Sequence, residues 1–383
     1  MSQTSLFCFS PRDPEEGHRS ATSLELIFDL ASVIAIAGAA HGLAHAIESG
    51  HIFEGVIGFF GSFFMIWLAW MNYTWFASAY DDDSSTFRLL TMVIMMGALM
   101  LAAGISAVFA LQPIWLALLG FIVMRLGMAV CWLSAARGDP ARRRTALHYA
   151  AGILVLQIYW IAMVTLIPPT SALYLPLFLV GVVGELSVPA IAERCGATTW
   201  HREHMIERYG LLNIIVLAET FVAITAMIQL EAGTVFPNAG FLWLAVLSAA
   251  IAFSLWGIYF TEDEHLADAE LPHALLWGYG HFVLFAAGAA TGAGMSVMLA
   301  VLNHSAHIDH QTGVLAIAIP VAIYLTTLWV IRDRLCLSGG ARWLLLAVAA
   351  LVLALGALAP AGVELIAALL ILAAVTRRRL ANG

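Results

Sequence analysis

The chain has 383 residues, of which 62% are hydrophobic and only 11% charged, less than half the ~25% of an average soluble domain. Together with a mean hydropathy of +0.90, this excludes a soluble enzyme, a nucleic-acid binder and a disordered chain, and leaves an all-α integral membrane protein with many spans. The formal net charge of −8 says little, because in a membrane protein the placement of charge matters more than its sum.

Residues 1–20 carry Arg12, Asp13, Glu15, Glu16 and Arg19 and no apolar run, so they read as a cytoplasmic tail and not as a signal peptide. A capping box, Thr22-x-x-Glu25, then opens the first apolar helix. Twelve apolar segments follow, near residues 24–47, 53–79, 88–111, 113–135, 145–167, 171–192, 209–229, 240–260, 273–300, 312–332, 341–357 and 361–376, most of them close to the ~20 residues that a span requires. The hairpin 341–376 is the shortest pair, with a turn of only Leu358 to Pro360. Pro176 and Pro320 fall inside the sixth and tenth segments, where they are expected to free backbone carbonyls and permit kinks. Gly288-x-x-x-Gly292 allows the ninth segment to pack closely on a neighbour.

Lysine is absent, and sixteen of the seventeen arginines fall in segments that lie on one side if both termini are cytoplasmic. The opposite loops hold none, and Arg125 lies within a span. This bias orients the chain in the inner membrane with both termini inside. The four cysteines, Cys8, Cys131, Cys195 and Cys336, fall on or near that reducing side and form no disulfide framework.

The chain also reads as a duplication. Trp75 precedes the acidic run Asp81 to Asp83 by the same spacing as Trp256 precedes Glu262 to Glu264. The organisation this implies is a tail at 1–20, a six-helix repeat at 21–192, a cytoplasmic linker at 193–208, a second six-helix repeat at 209–376 and a basic tail at 377–383. An even number of spans per repeat makes the halves parallel, with a substrate path expected between them.

Ionisable groups inside a bilayer are costly and mark functional sites by default. By the ~1.5 Å helical rise, Asp29 lies ~9 Å into the first span, while Arg125 and Glu219 lie ~15 Å along theirs. Glu185 and His281 lie ~10–12 Å in. With Glu25, these groups form the candidate substrate- or ion-binding set. Among them Asp29, Glu185 and Glu219 could carry three negative charges against the one positive charge of Arg125, a surplus for a proton, a charged His281 or a bound cation to balance. Arg125 is expected to pair with Glu219, since both are deep. His41 and His45 share a face on the outer half of the first span, turned away from Asp29, and form an outer polar patch. His51 and the run His304, His307, Asp309 and His310 add imidazole outside. They have no metalloprotease spacing, and no tightly held metal is expected. Before the seventh span, His204, Glu207 and Arg208 form a cytoplasmic gate or a salt-bridged helix start. The acidic turns at 81–83 and 262–264 read as hydrated turns or cation-attracting mouths, and Arg142 to Arg144 and Arg377 to Arg379 as topology determinants touching headgroups.

Several stretches resemble the bacterial low temperature requirement A family. They are Leu24-Glu25-Leu26-Ile27-Phe28-Asp29-Leu30, His41-Gly42-Leu43-Ala44-His45, Tyr80-Asp81 with Phe87-Arg88-Leu89-Leu90, Met124-Arg125-Leu126-Gly127 and Asp139-Pro140-Ala141-Arg142-Arg143-Arg144. Trp200-His201, His204, Glu207-Arg208-Tyr209-Gly210-Leu211, Ile214 to Thr220 around Glu219, and Gly278-Tyr279-Gly280-His281-Phe282 continue the resemblance to about residue 300. Ala218 and Thr220 stand where the family commonly has Gly and Ser. The resemblance implies a multi-pass membrane fold. The family name describes growth in the cold and leaves the chemistry open.

The resulting expectation is a secondary transporter of an unidentified small solute, coupled to protons or cations through the intramembrane carboxylates and arginine. The alternatives are a cation channel, or a non-transporting membrane protein that binds lipid or a partner and supports growth in the cold. No nucleophile elbow, phosphate loop or redox motif is present in the sequence, so neither an enzyme nor a cofactor is expected. Membrane lipids and the solute are the expected partners, with no nucleic acid.

Overall fold

A computed structural model describes residues 7–17, 19–231, 238–261, 266, 270–359 and 361–381. Every element among them is helical, and no strand is present among the described residues. The long helices are α1 (Ser23–Glu48), α2 (Ile52–Tyr80), α3 (Ser85–Phe109), α4 (Trp115–Gly138), α5 (Arg143–Leu166) and α6 (Tyr174–Ala192). They are followed by α7 (Arg202–Glu231), α8 (Ala239–Tyr259), α9 (Leu271–Leu302), α10 (His310–Leu328), α11 (Leu344–Leu358) and α12 (Gly362–Ala381). Eleven of these helical segments are long and apolar enough to cross a membrane among the described residues. The remaining one, α12, has 20 residues but carries arginines in its last turns. The chain is thus a multi-pass helical protein, as hydropathy predicts. The acidic turn Glu262 to Glu264 and Pro360 lie outside the described residues.

Helix starts are set by local chemistry. The first backbone N–H groups of a helix lack intrahelical partners, and short polar side chains supply them. Thr22 and Glu25 form the predicted reciprocal box: Thr22 N donates to Glu25 Oε2 at 2.9 Å, and Glu25 N to Thr22 Oγ1 at 3.2 Å. Ser84, Asn238 and Asp309 cap α3, α8 and α10 by accepting from Phe87 N, Gly240 N and Thr312 N. Two expectations change. Pro176 sits in the first turn of α6, where its missing N–H is of no consequence, and the proline inside that helix is Pro189. Helix α7 begins at Arg202 and not near 209, so the charged run before the span is already helical.

The chain divides into two compact units. One comprises Met1–Gly38 and Ser62–Arg208, the other Ala39–Gly61 and Tyr209–Gly383. In the first unit α3, α4, α5 and α6 pack each on the next. The α3–α4 contact is backbone-close: a Cβ at Gly97 would lie 2.6 Å from the Gly120 carbonyl oxygen, and one at Gly127 2.6 Å from Ile94. Small residues let antiparallel helices approach where no hydrophobic drive separates protein from lipid. In the second unit α9 packs on α10, α10 on α11, and α12 on α8 and α11. The Gly288 and Gly292 pair has its close partner in α7, where Cβ atoms at those positions would meet Val216 at 2.8 Å and Glu219 at 2.6 Å. Large apolar side chains such as Leu166 and Ile158 stay exposed, at 75% and 69%, as befits a surface solvated by hydrocarbon.

The described residues before α1 are folded onto the first unit. Phe9 is buried between the rings of Phe76 and Phe87, with centroids 6.2 and 5.8 Å away. Arg19 donates to the carbonyls of Ala77 and Ser78, and the backbone N of Arg12 donates to Ala79 O at 2.9 Å. These are among the last carbonyls of α2, which lack a full set of intrahelical partners; Ala77 O also accepts from Asp81 N at 3.1 Å. Burial lowers the Arg19 pKa from its ordinary value, and the repulsion of Arg12 adds to that. Arg19→Ala is therefore expected to lower stability by about 1.5–3 kcal/mol, the range for hydrogen bonds to charged groups. Half-buried Arg12, replaced by Ala, should cost less. Thermal unfolding of the purified variants in detergent measures this, and an Arg19→Ala midpoint equal to wild type would refute it.

Candidate functional site

Two pairs of residues with helical spacing meet in the first unit. Glu25 and Asp29 lie one turn apart on α1, and His204 and Arg208 one turn apart on α7, so each pair presents one face. Arg208 grips Asp29 through both nitrogens, Nη1 to Oδ2 and Nη2 to Oδ1, each at 2.7 Å. Trp70 Nε1 donates to Asp29 Oδ1 at 2.8 Å, and the guanidinium carbon lies 5.9 Å from the Trp70 ring centroid. His204 Nε2 stands 3.0 Å from Glu25 Oε1, and Arg208 Nε stands 4.0 Å from the same oxygen. Glu25 therefore divides its carboxylate: Oε2 closes the capping box and Oε1 faces the histidine. Glu25, His204 and Arg208 are 0% exposed and Asp29 3%. Two of the three predicted gate residues, His204 and Arg208, and two members of the predicted binding set, Glu25 and Asp29, thus form one cluster.

The start of α7 is tied to the segment before α1. His201 Nδ1 accepts from His204 N at 3.2 Å in the manner of an N-cap, and His201 Nε2 lies 2.9 Å from Glu16 O. Ala21 N donates to Glu207 Oε2 at 3.2 Å. Glu207 therefore holds the chain leading into α1 and does not enter the buried set. Tyr73, one turn beyond Trp70, stacks on Phe28 at 4.0 Å.

Arg125 is only 1% exposed and pairs with Glu185 of α6 through Nη2, while Trp160 of α5 donates to the other Glu185 oxygen at 3.0 Å. This corrects the expected partner, Glu219. Depth along a span favours Glu219 but does not fix which helices are neighbours. Packing order does, because α4, α5 and α6 are consecutive neighbours. Glu219, 8% exposed, has no hydrogen bond or ion pair among the described residues. The Asp29 and Arg125 clusters share no residue, so the candidate set is not one constellation.

In the second unit, both His281 nitrogens have partners: Nε2 lies 3.1 Å from the Tyr259 hydroxyl and Nδ1 2.7 Å from Trp277 O. Tyr209, Trp277 and Phe285 surround the ring within about 5 Å of its centroid. This is an aromatic packing site. Arg332 and Arg377 instead converge on Asp333 in a π-helical turn, Trp329–Asp333, that continues α10. Asp333 accepts from Arg332 Nε at 2.8 Å and from Arg377 Nη1 and Nη2 at 2.5 and 2.7 Å. Arg377 is thus 1% exposed and is not a headgroup contact. The acid inside Arg332-Asp333-Arg334 was the available signal in the sequence. His41 and His45 are exposed. Hydrogen bonds from the Thr312 side chain and then from Thr312 N hold the Asp309 carboxyl pKa below its usual value. Among the described residues no group of three or more His, Cys, Asp or Glu is placed to hold a metal ion.

The Arg125 pairing gives a direct test. Arg125→Met leaves Glu185 buried and unpaired, a change that costs roughly 3–5 kcal/mol at such sites. Adding Glu185→Leu should recover most of that loss, whereas adding Glu219→Leu should only sum with it. The four unfolding midpoints of each cycle measure this, and coupling to Glu219 with additivity at Glu185 would reverse the assignment.

No curated protein and no solved structure matches the chain. The family model of the bacterial low temperature requirement A protein (LtrA) matches residues 20–376. That match includes every helix of the Asp29 and Arg125 clusters and nearly the whole length, so the chain, a multi-pass membrane protein, belongs to the bacterial low temperature requirement A family.

Proposed function

We propose that this protein is a secondary transporter of a small solute, with Glu25, Asp29, His204 and Arg208 as its coupling site. The supporting observation is the charge balance of that cluster. Two carboxylates and one arginine, all 3% exposed or less, carry one negative charge too many unless a proton or cation joins them. Arg208 holds Asp29 on two bonds, which leaves Glu25 and His204 to exchange the proton. An uncompensated charge in a low-dielectric site is costly, so binding and release of that proton would favour different arrangements of α1 and α7. A bound sodium ion would balance the same charge.

The chain is further proposed to sit in the cytoplasmic membrane with both termini inside and two parallel six-helix halves. The one-sided arginines support this orientation. A cysteine placed at Ser305 should react with an impermeant thiol reagent in intact cells, while Cys336 should not. The opposite pattern would invert the topology.

Function is tested by reconstituting the protein in liposomes and following uptake from a solute panel under an imposed pH gradient. Saturable uptake that responds to the gradient is expected. His204→Gln should keep the Arg208–Asp29 pair and the fold but lose the response to pH. Unitary currents would instead identify a channel, and the absence of any flux would favour a non-transporting role.

A further inference from the structure

The α4–α5–α6 core of the first unit contains polar atoms that its own pairing does not use. Gln157 is 4% exposed, and neither its amide nitrogen nor its amide oxygen has a hydrogen-bond partner among the described residues. The same holds for Arg125 Nε and Nη1, since Glu185 takes only Nη2. Packing places these groups at one level. Trp132 of α4 stacks on Tyr149 of α5 at 4.0 Å, and Phe121 meets Trp160 at 6.4 Å. That antiparallel register sets Arg125 against position 156, so Gln157 lies within one residue, ~1.5 Å of helical rise, of its level. Tyr149, Ile153, Gln157 and Trp160 are all buried on α5, at the spacing of a single helix face. The amide therefore lies in the stripe that carries Tyr149 and Trp160 onto α4.

An unpaired buried polar group costs about 1–3 kcal/mol, and leucine would continue the same stripe without that penalty. The available hydrogen-bond chemistry defines what would offset it. Arg125 Nε and Nη1 and the Gln157 amide nitrogen donate, and the Gln157 oxygen accepts. Arg125 and Glu185 cancel each other's charge, so a charged occupant would bring an uncompensated charge into the core.

The geometry points to a solute-binding site between α4, α5 and α6, formed by Gln157 and the unused N–H groups of Arg125, for a small neutral molecule that bears both donors and acceptors, such as an amide or a polyol. This rests on the transporter reading and supplies its substrate class. Trp160 fixes Glu185, Glu185 orients Arg125, and Gln157 distinguishes an occupant that can both give and receive a hydrogen bond from one that can only receive.

The test reads binding without flux. The full-length protein in lipid nanodiscs is unfolded thermally with acetamide, glycerol, acetate or methylammonium at one matched millimolar concentration. Acetamide or glycerol should raise the wild-type midpoint by a few degrees, while acetate and methylammonium should not. Gln157→Leu should lose that rise while unfolding on its own no earlier than wild type. If Gln157→Leu does not purify folded, Gln157→Met carries the same comparison. No rise with either neutral probe, a rise with the charged probes alone, or an equal rise in wild type and variant would each overturn the proposal. A protein that binds acetamide but moves none would keep this site and remove the transporter reading. Uptake of a charged solute with no neutral binding would remove the site and keep the transporter.

Discussion

Withdrawing Arg208 from water inside a membrane helix is affordable only because Asp29 meets it with both oxygens, and much of the first unit is arranged around that contact. A guanidinium cannot shed its charge, so its partner must be fixed in position and orientation. Trp70 holds one Asp29 oxygen, the Thr22–Glu25 box sets the start of α1, and His201 sets the start of α7. The segment from Phe9 to Ala21 then closes over the last carbonyls of α2 and contacts α7 through Glu207. Each of these bonds satisfies a group that neither helix nor hydrocarbon could satisfy.

Three buried arginine sites use the same principle with different consequences. Arg208 has one carboxylate in bidentate contact and a second within 4.0 Å, so its cluster has negative charge to spare and a histidine beside it. Arg125 has one carboxylate and is balanced, and its Nε and Nη1 have no hydrogen-bond partner among the described residues. Arg332 and Arg377, in the second unit, share Asp333 and stiffen the end of α10 where a π-helical turn interrupts it. The charge balance of each site, more than its depth, sets the three apart.

The helix pattern was legible because each span must supply its own run of apolar residues, and hydropathy reads that directly. The capping box was legible because it is local. The start of α7 was not, since Arg202 to Arg208 resembles a loop by hydropathy and becomes helical through contacts made from Glu16 and Glu25. The identities Glu25, Asp29, His204 and Arg208 were all visible, yet they appeared as a binding set and a separate gate because pairing between α1 and α7 is a tertiary property. Depth alone pairs Arg125 with Glu219, whereas the adjacency of α4, α5 and α6 gives it Glu185. Gln157 carries no signal in the sequence, because an uncharged amide does not stand out in an apolar helix. Arg377 was hidden in a basic tail whose first residue turns inward.

The Arg208–Asp29 pair joins the start of α7 to α1 and keeps the buried Glu25 and His204 side by side. Exchanging the two charges tests it most directly, with Asp29→Arg and Arg208→Asp made singly and together. Each single change places like charges side by side and should abolish the folded monodisperse protein, while the double change restores opposite charges at the same contact and should recover it. A double variant no better than either single one, or an Asp29→Arg protein that unfolds like wild type, would contradict the claim.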